Sequence, residues 1–211
     1  MSTRVSERVD DWTDRPFSGG YGALHALADE RFSGVVRAGG GELYMTKGTV
    51  VGVMGSMDDF ADTDGTVYEA PTPALALLAV MQERGGEVRA EYYSEDTSIT
   101  EVDGKLSDGG FTGYIELSEN VLSGDYYVVY HQGRSMSVAF VGNAARLLED
   151  DEAFERANGE VGIYKVHPVD IDPVEIPEPP EPEEDEPAVA ETASETDPAG
   201  SGETGETDSE A

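Results

Sequence analysis

The stretch FSGVVRAGGGELYMTKGTVVGV, residues 32–53, decides the predicted fold of this chain. Its apolar runs are separated by glycine-containing turns at 39–41 and 47–48, which is typical of short strands joined by tight turns. Gly34 follows Phe32 at a spacing that predicts a bulge or a close backbone approach. We therefore predict a small antiparallel sheet of three strands.

The same order of patterns returns in the second half of the chain, beginning with FTGYIEL at 111–117. Its predicted strands are 111–118, 125–131 and 134–141, with Gln132-Gly133 at the turn that Lys47-Gly48 occupies in the first half. Each half continues with a helix and a closing strand, predicted at 73–84 and 87–93 and again at 144–157 and 160–166. We predict an α+β fold of two similar antiparallel-sheet-plus-helix repeats.

Composition and periodicity divide the chain into five regions. These are a flexible leader (1–16), a first α+β repeat (17–98) that opens with a helix at 20–31, a linker (99–110), a second α+β repeat (111–167) and an acidic tail (168–211). The tail holds eight of the eleven prolines and no aromatic residue. It cannot bury enough surface to offset its ordering entropy, which predicts disorder. It either aids solubility or docks a partner through Val174 and Ile176.

The chain is strongly acidic, with 45 acidic against 13 basic residues and a formal charge of −32. The tail contributes 16 of the acids and no base, so 45 − 16 = 29 acids face 13 bases elsewhere, a charge of −16. Such repulsion is tolerable where molar salt shortens the Debye length to about 3 Å. We predict a halophilic archaeal protein. A basic surface for phosphates is missing, which disfavours direct nucleic-acid binding.

The sequence lacks the motifs of several classes of enzyme and binding protein. The absence of cysteine excludes disulfides and thiolate catalysis. The sequence 133–137 resembles a nucleophile elbow until its fifth position, which is Ser137 instead of glycine. No phosphate-binding or dinucleotide-binding loop occurs, and no apolar stretch predicts a membrane span or secretion signal. We predict a cytoplasmic protein that is not an enzyme and holds no cofactor.

The acidic segment 55–70 invites comparison with a calcium loop. The EF-hand register fails, because Phe60 falls at the first ligand position and Pro71 at the position of the bidentate glutamate. His25, His131 and His167 are far apart in sequence and show no ligand spacing. We therefore predict no metal site.

Tyrosines are concentrated in the strand at 125–131. Alternation places Tyr126 and Tyr130 on one face and Tyr127 on the other. One aromatic face is explained by a core, whereas two suggest that one of them covers a partner or the other repeat. We predict Tyr126, Tyr127 and Tyr130 as possible partner-binding residues, with core packing as the alternative.

The chain resembles the PatA N-terminal (PATAN) domain of prokaryotic signalling proteins, possessing an aromatic-x-glycine strand, a Lys-Gly turn and a closing strand after a glycine. The residues that carry the resemblance are Phe32, Gly34, Lys47, Gly48 and Gly86, and in the second copy Phe111, Gly113, Gly133 and Gly159. The second copy shows no obvious leading helix. The resemblance implies a non-catalytic protein-interaction module.

The functional prediction is an adaptor that binds a protein partner in signalling or regulation, without direct contact to nucleic acid or membrane. Two alternatives stay open. One is a small-molecule or ion-sensing domain that uses the cleft between the repeats or the 55–70 loop. The other is a transcription-linked regulator that acts through a DNA-binding partner, because the chain has no basic recognition helix.

Overall fold

The computed structural model describes residues 4–119, 121–142 and 146–179. The strands are β1 (Thr13–Phe17), β2 (Gly34–Ala38), β3 (Gly41–Thr46), β4 (Thr49–Met54), β5 (Gly65–Glu69), β6 (Ala90–Tyr93), β7 (Gly113–Glu119), β8 (Gly124–His131), β9 (Arg134–Val141), β10 (Arg146–Glu149) and β11 (Ile163–Pro168). The α-helices are α1 (Gly20–Asp29), α2 (Pro73–Arg84), α3 (Ile99–Asp108) and α4 (Asp150–Asn158), and 3-10 helices cover Val5–Asp11 and Met57–Phe60.

The strands form two antiparallel sheets. The first has the order β1-β5-β2-β3-β4 and the second the order β10-β9-β8-β7-β11-β6. In each sheet, three consecutive strands form a meander, and a strand from later in the chain pairs with the first of them. These later strands are β5, which pairs with β2, and β11, which pairs with β7. The predicted α+β class is confirmed, and so are the three strands within residues 32–53. Among the described residues, no helix is long and apolar enough to cross a membrane.

Helix α2 is the centre of the molecule. Its sequence PALALLAVMQER is apolar on every side, which is typical of a helix buried all round. It packs between the inner faces of the two sheets, in one core cluster with Val35 and Tyr44 of the first sheet and Tyr127 and Val129 of the second. Helix α1 covers the outer face of the first sheet, and α3 and α4 cover the outer face of the second.

The two Phe-x-Gly sequences adopt the same local structure. Gly34 and Gly113 have φ angles of 158° and 146°, in the region that favours glycine. A Cβ at Gly34 would overlap the carbonyl oxygen of Tyr68, and one at Gly113 would overlap that of His167. The chain therefore needs glycine where each meander begins, because the backbone of β5 or β11 passes directly against it.

The two predicted turns also make matching contacts. Gly48 N–H donates to Phe32 O at 2.8 Å, and Gly133 N–H donates to Phe111 O at 2.8 Å. The residues before these glycines, Lys47 and Gln132, have φ angles of 50° and 51°. Their N–H groups donate to the side-chain oxygens of Ser33 and Thr112, at 2.8 and 3.0 Å. Both turns are thus fixed to the start of their own meander.

The predicted boundary between the repeats is wrong. The strand predicted at 87–93 as the end of the first repeat is β6, which pairs with β11 in the second sheet. The predicted linker at 99–110 contains α3, whose N-cap Ser98 accepts a hydrogen bond from Glu101 N–H at 3.2 Å. Helix α2 carries the chain from one sheet to the other, so strands β6–β11 all belong to the second sheet. The second half therefore has a leading helix after all.

Three other predicted segments differ from the structure. Within the predicted flexible leader, Val5 and Val9 of the first 3-10 helix are fully buried against the central core, and β1 begins at Thr13. The acidic segment 55–70 contains the second 3-10 helix and β5, which lies inside the first sheet. Of the helix predicted at 144–157, residues 146–157 are divided between β10 and α4, and residues 144 and 145 lie outside the described residues. In each of these segments, the observed structure depends on packing or strand pairing with distant parts of the chain.

The predicted disordered tail begins too early. Residues 169–179, here called the C-terminal strap, are described, whereas 180–211 lie outside the described residues. Val169 and Ile171 are buried in the central core. Further along, Val174 N–H donates to Val50 O of β4 at 2.9 Å, and Ile176 packs against the core beneath α1. The strap therefore runs from the end of β11 to the outer edge of β4.

Truncating the chain after Ile171 should lower the free energy of unfolding by about 1–2 kcal/mol, because it removes the half-buried Val174 and Ile176 and one backbone hydrogen bond. A truncation after Pro179 keeps the whole strap and is the control, with an expected change within about 0.5 kcal/mol. Thermal and urea unfolding of the three chains would measure the difference. Equal stability of the two truncated chains would contradict a stabilising strap.

Candidate functional site

The tyrosines predicted as a partner-binding surface lie in the core. Tyr126, Tyr127 and Tyr130 are each at most 1% exposed. Tyr126 and Tyr130 face α3 and α4, whereas Tyr127 faces α2, as the predicted alternation requires. The hydroxyl of Tyr130 donates to Asp103 at 2.8 Å, and that of Tyr126 lies 2.9 Å from Ser123 Oγ. Of the two explanations given for these tyrosines, the structure supports core packing and not a partner-binding surface, because helices cover both faces of this sheet.

The edges of the two sheets are the remaining places where a partner strand could bind. The strap covers β4 at Val50. Strand β1 contains Pro16, which cannot donate a backbone hydrogen bond, and β10 has charged residues at both ends, Arg146 and Glu149. These are the usual means by which proteins block edge pairing. Strand β6 is as short as β10, but in the described part of the chain it has neither a proline nor a covering segment, and its one charged residue, Glu91, lies 3.7 Å from Lys165 of the neighbouring strand. The carbonyl of Tyr93 accepts from the N–H groups of Asp96 and Thr97, each at 3.0 Å.

Strand β6 also exposes large apolar side chains. Tyr92 and Tyr93 are 36% and 41% exposed, on a strand of only four residues, and Val88 and Val161 nearby are exposed as well. The Tyr92 ring stacks on the buried Tyr164, with centroids 5.4 Å apart. The sequence predicted alternation of core and solvent faces here, but only Ala90 is half-buried. We call Val88, Ala90–Tyr93 and Val161 the β6 edge.

A second feature is a cavity of about 260 Å³ at the C-terminal end of α2. It is lined by Arg4, Gln82, Gly85, Gly86, Tyr114, Glu116 and His167. Register places Tyr114 of β7 beside His167 of β11, and their rings stack at a centroid distance of 4.6 Å. The next residue on the same face of β7, Glu116, holds its Oε2 atom 3.7 Å from His167 Nε2.

His167 is buried without a hydrogen-bond partner. The residue is 8% exposed, and neither ring nitrogen makes a hydrogen bond to any described residue. Burial lowers the pKa of His167, and Lys165 acts in the same direction, whereas the Glu116 carboxylate and the nearby Gly86 backbone partly offset that effect. Burial also raises the pKa of Tyr114 to about 12, with Glu116 acting in the same direction and Arg4 against it. The cavity therefore contains a neutral imidazole and a neutral phenol at pH 7.

The lowered pKa of His167 predicts a pH-dependent stability. The unfolded chain binds a proton near pH 6.5, whereas the folded chain binds it only at lower pH, so the free energy of unfolding should fall as the pH drops below about 6.5. The charged and titratable neighbours are Arg4, Tyr114, Glu116 and Lys165. Urea unfolding between pH 5 and pH 8 would show a smaller decrease in His167→Phe, and an unchanged slope would contradict the prediction.

The acidic 55–70 segment has a local structural explanation. Ser56 Oγ accepts from Asp58 N–H at 3.2 Å, and Asp59 Oδ2 accepts from Ser56 N–H at 2.9 Å. These side chains cap the second 3-10 helix. Within 4–119, 121–142 and 146–179, no three histidine or acidic side chains come together as a metal site. His25 lies apart from the other histidines, with Nε2 3.0 Å from Pro177 O of the strap.

Sequence reasoning missed both candidate sites. The cavity assembles residues from four distant segments, and its only local signal is the i, i+2 spacing that places Tyr114 and Glu116 on one strand face. The sequence did not reveal the β6 edge, because the strand predicted at 87–93 was expected to belong to the first repeat.

Comparison with protein-family models, with curated proteins and with solved structures finds no match to this chain. The PATAN resemblance therefore stays a prediction that rests on the glycine and aromatic positions named above.

Proposed function

We propose that this protein is a non-catalytic adaptor that binds an extended segment of a regulatory partner protein along the β6 edge. The observation that carries the proposal is the contrast among the sheet edges: in the described part of the chain, only this edge combines exposed tyrosines with a backbone that neither a proline nor the strap blocks. Partner strands bind such edges through main-chain hydrogen bonds, and adjacent side chains provide specificity. The function agrees with what the PATAN resemblance implies.

The proposal includes a duplication: β1–β5 and β6–β11 are two copies of one unit, with α2 as the connector. Matching contacts support it, since Ala70 N–H donates to Ser33 O at 3.0 Å and Val169 N–H donates to Thr112 O at 3.2 Å. In the alignment that these contacts define, Pro16 of β1 corresponds to Glu91 of β6, because Pro16 pairs with Thr66 and Glu91 with Lys165. One copy would thus have a blocked edge and the other an open edge.

Charge indicates the chemistry of the partner. Residues 87–96 hold four acids, Glu87, Glu91, Glu95 and Asp96, against one base, Arg89. A partner strand with basic side chains between apolar ones would complement both this charge and the tyrosines. In the salt-rich cytoplasm that the composition predicts, charge attraction is screened, so apolar contacts and backbone hydrogen bonds would supply most of the affinity.

Glu91→Pro should weaken partner binding at least about tenfold while β6 stays paired with β11. Ser94 N–H donates to Gly162 O at 3.0 Å, so antiparallel alternation directs the N–H groups of Glu91 and Tyr93 toward the open side. Proline removes one of these outward donors and copies the state of Pro16 in β1. A photo-crosslinker at position 93 in native host cytoplasm at molar salt would identify and quantify the captured partner.

Glu91→Gln is the matched control, because it removes the charge but keeps the backbone donor. It should capture the same partner as the native chain. Recovery of that partner by Glu91→Pro at the native level, or a failure of position 93 to crosslink any protein, would contradict strand addition at this edge. Thermal unfolding of both variants separates loss of binding from loss of fold.

A further inference from the structure

We propose that the cavity at the end of α2 is a binding site for a small zwitterion of the α-amino-acid class. The site is independent of the β6 edge and extends beyond the adaptor function. It has a defined volume, an imidazole without a hydrogen-bond partner among the described residues, and two groups of opposite charge in its lining. These features together indicate a ligand with both an acidic and a basic group.

The buried imidazole is the first step of the argument. A buried polar group without a hydrogen bond destabilises the folded state, so proteins retain few of them. His167 has two such nitrogens in one ring, and the ring is held in position by its stack on Tyr114. A ligand that donates to one nitrogen or accepts from the other would satisfy this group.

The charges are the second step. Arg4 supplies a permanent cation to the lining and Glu116 supplies a carboxylate, and no salt bridge joins them in the described part of the chain. The Oε1 atom of Glu116 already accepts from Ser118 at 2.8 Å, which leaves Oε2 beside His167. A ligand carboxylate suits the guanidinium and a ligand ammonium suits Glu116 Oε2, as charge-assisted hydrogen bonds.

The neutral polar groups and the volume are the third step. Gln82 Oε1 already accepts from Val5 N–H at 2.7 Å, which fixes the orientation of the amide, and its N–H₂ group can act as a donor to a ligand. At about 30 Å³ for each water-sized group, a cavity of about 260 Å³ holds roughly eight non-hydrogen atoms. That is the size of a small amino acid.

Imidazole NMR signals and thermal unfolding would test the site on the full chain, since the protein has only three histidines to assign. The probes are glycine, alanine, serine and glutamate. Acetate and methylammonium are the matched controls, because each carries only one of the two charged groups of an amino acid. We expect at least one amino acid to shift the His167 signals saturably. At about 100 times its Kd it should raise the folding equilibrium constant about 100-fold. Neither control alone should reproduce these effects.

Two variants locate the ligand. His167→Phe keeps the aromatic stack and Glu116→Gln keeps the side-chain shape, and each should weaken binding about tenfold. His131→Phe is the control, because His131 Nε2 is also buried without a partner but lies outside the cavity lining. Absence of saturable binding by every amino acid, equal binding of acetate, or unchanged affinity in His167→Phe would overturn the proposal and leave a hydrated cavity.

Discussion

Replacing Gly34 with alanine should lower the free energy of unfolding by about 2–6 kcal/mol, and Gly113→Ala should have an effect of the same size. Each residue holds a positive φ that other residues reach only at a cost of about 1–3 kcal/mol. The added methyl group would also overlap a backbone oxygen of the adjacent strand, and relieving such an overlap costs about 1–3 kcal/mol more.

Gly22→Ala and Gly104→Ala are the matched controls. Both glycines lie in helices, α1 and α3, and a Cβ added to either has no heavy atom within 4 Å. Alanine should stabilise these positions by about 0.5–1 kcal/mol, because it lowers the entropy of the unfolded chain and favours the helix. Urea unfolding of the four variants measures the contrast. A cost below about 1 kcal/mol at both Gly34 and Gly113 would show that the strand contact can relax.

The sequence predicts the parts of the fold that depend on local chemistry. Gly39–Gly41 and Lys47-Gly48 require turns wherever they occur, so β2, β3 and β4 are predicted correctly from residues 32–53. Helix α2 is likewise predicted at its observed bounds, because Thr72 and Pro73 begin it and glycines end it.

What the sequence does not predict is which strands pair over long distances. β11 inserts between β6 and β7, so the strand at Ala90–Tyr93 pairs with residues at least seventy positions later. The alternation of apolar and polar residues within this strand does not indicate its pairing with β11. The glycines at 86 and 159, which the sequence predicts to correspond, follow α2 and α4, and these helices have different places in the two halves.

Helix α3 is different, because its signal was present. Ser98 and Glu101 have the spacing of a capping box, and Ile99 and Val102 lie one helical turn apart and are buried. In the strap, the proline and acid content conceals apolar residues that pack on the protein's own core. Composition predicts whether an isolated segment is ordered, but it does not predict whether the rest of the protein offers a surface on which that segment can pack.

Replacing Leu78 with alanine should lower the free energy of unfolding by about 2–5 kcal/mol and should affect both sheets together. Leu78 is fully buried in α2, within the cluster that contains the inner faces of both sheets. Removing it leaves a cavity that neither sheet can fill alone, and large-to-small core substitutions of this kind cost that much. Leu122→Ala is the control, since Leu122 is fully exposed and its loss should change stability by less than about 0.5 kcal/mol.

The expectation that both sheets lose stability together is the more informative part of this prediction. If α2 is the shared core, the amides of β3 and of β8 should lose the same amount of hydrogen-exchange protection in Leu78→Ala, because both are exposed by one global unfolding event. The buried Trp12, in the same central cluster, provides a fluorescence signal that should follow the same transition. Protection lost in one sheet and kept in the other would show that the two halves unfold separately, with α2 belonging to only one of them.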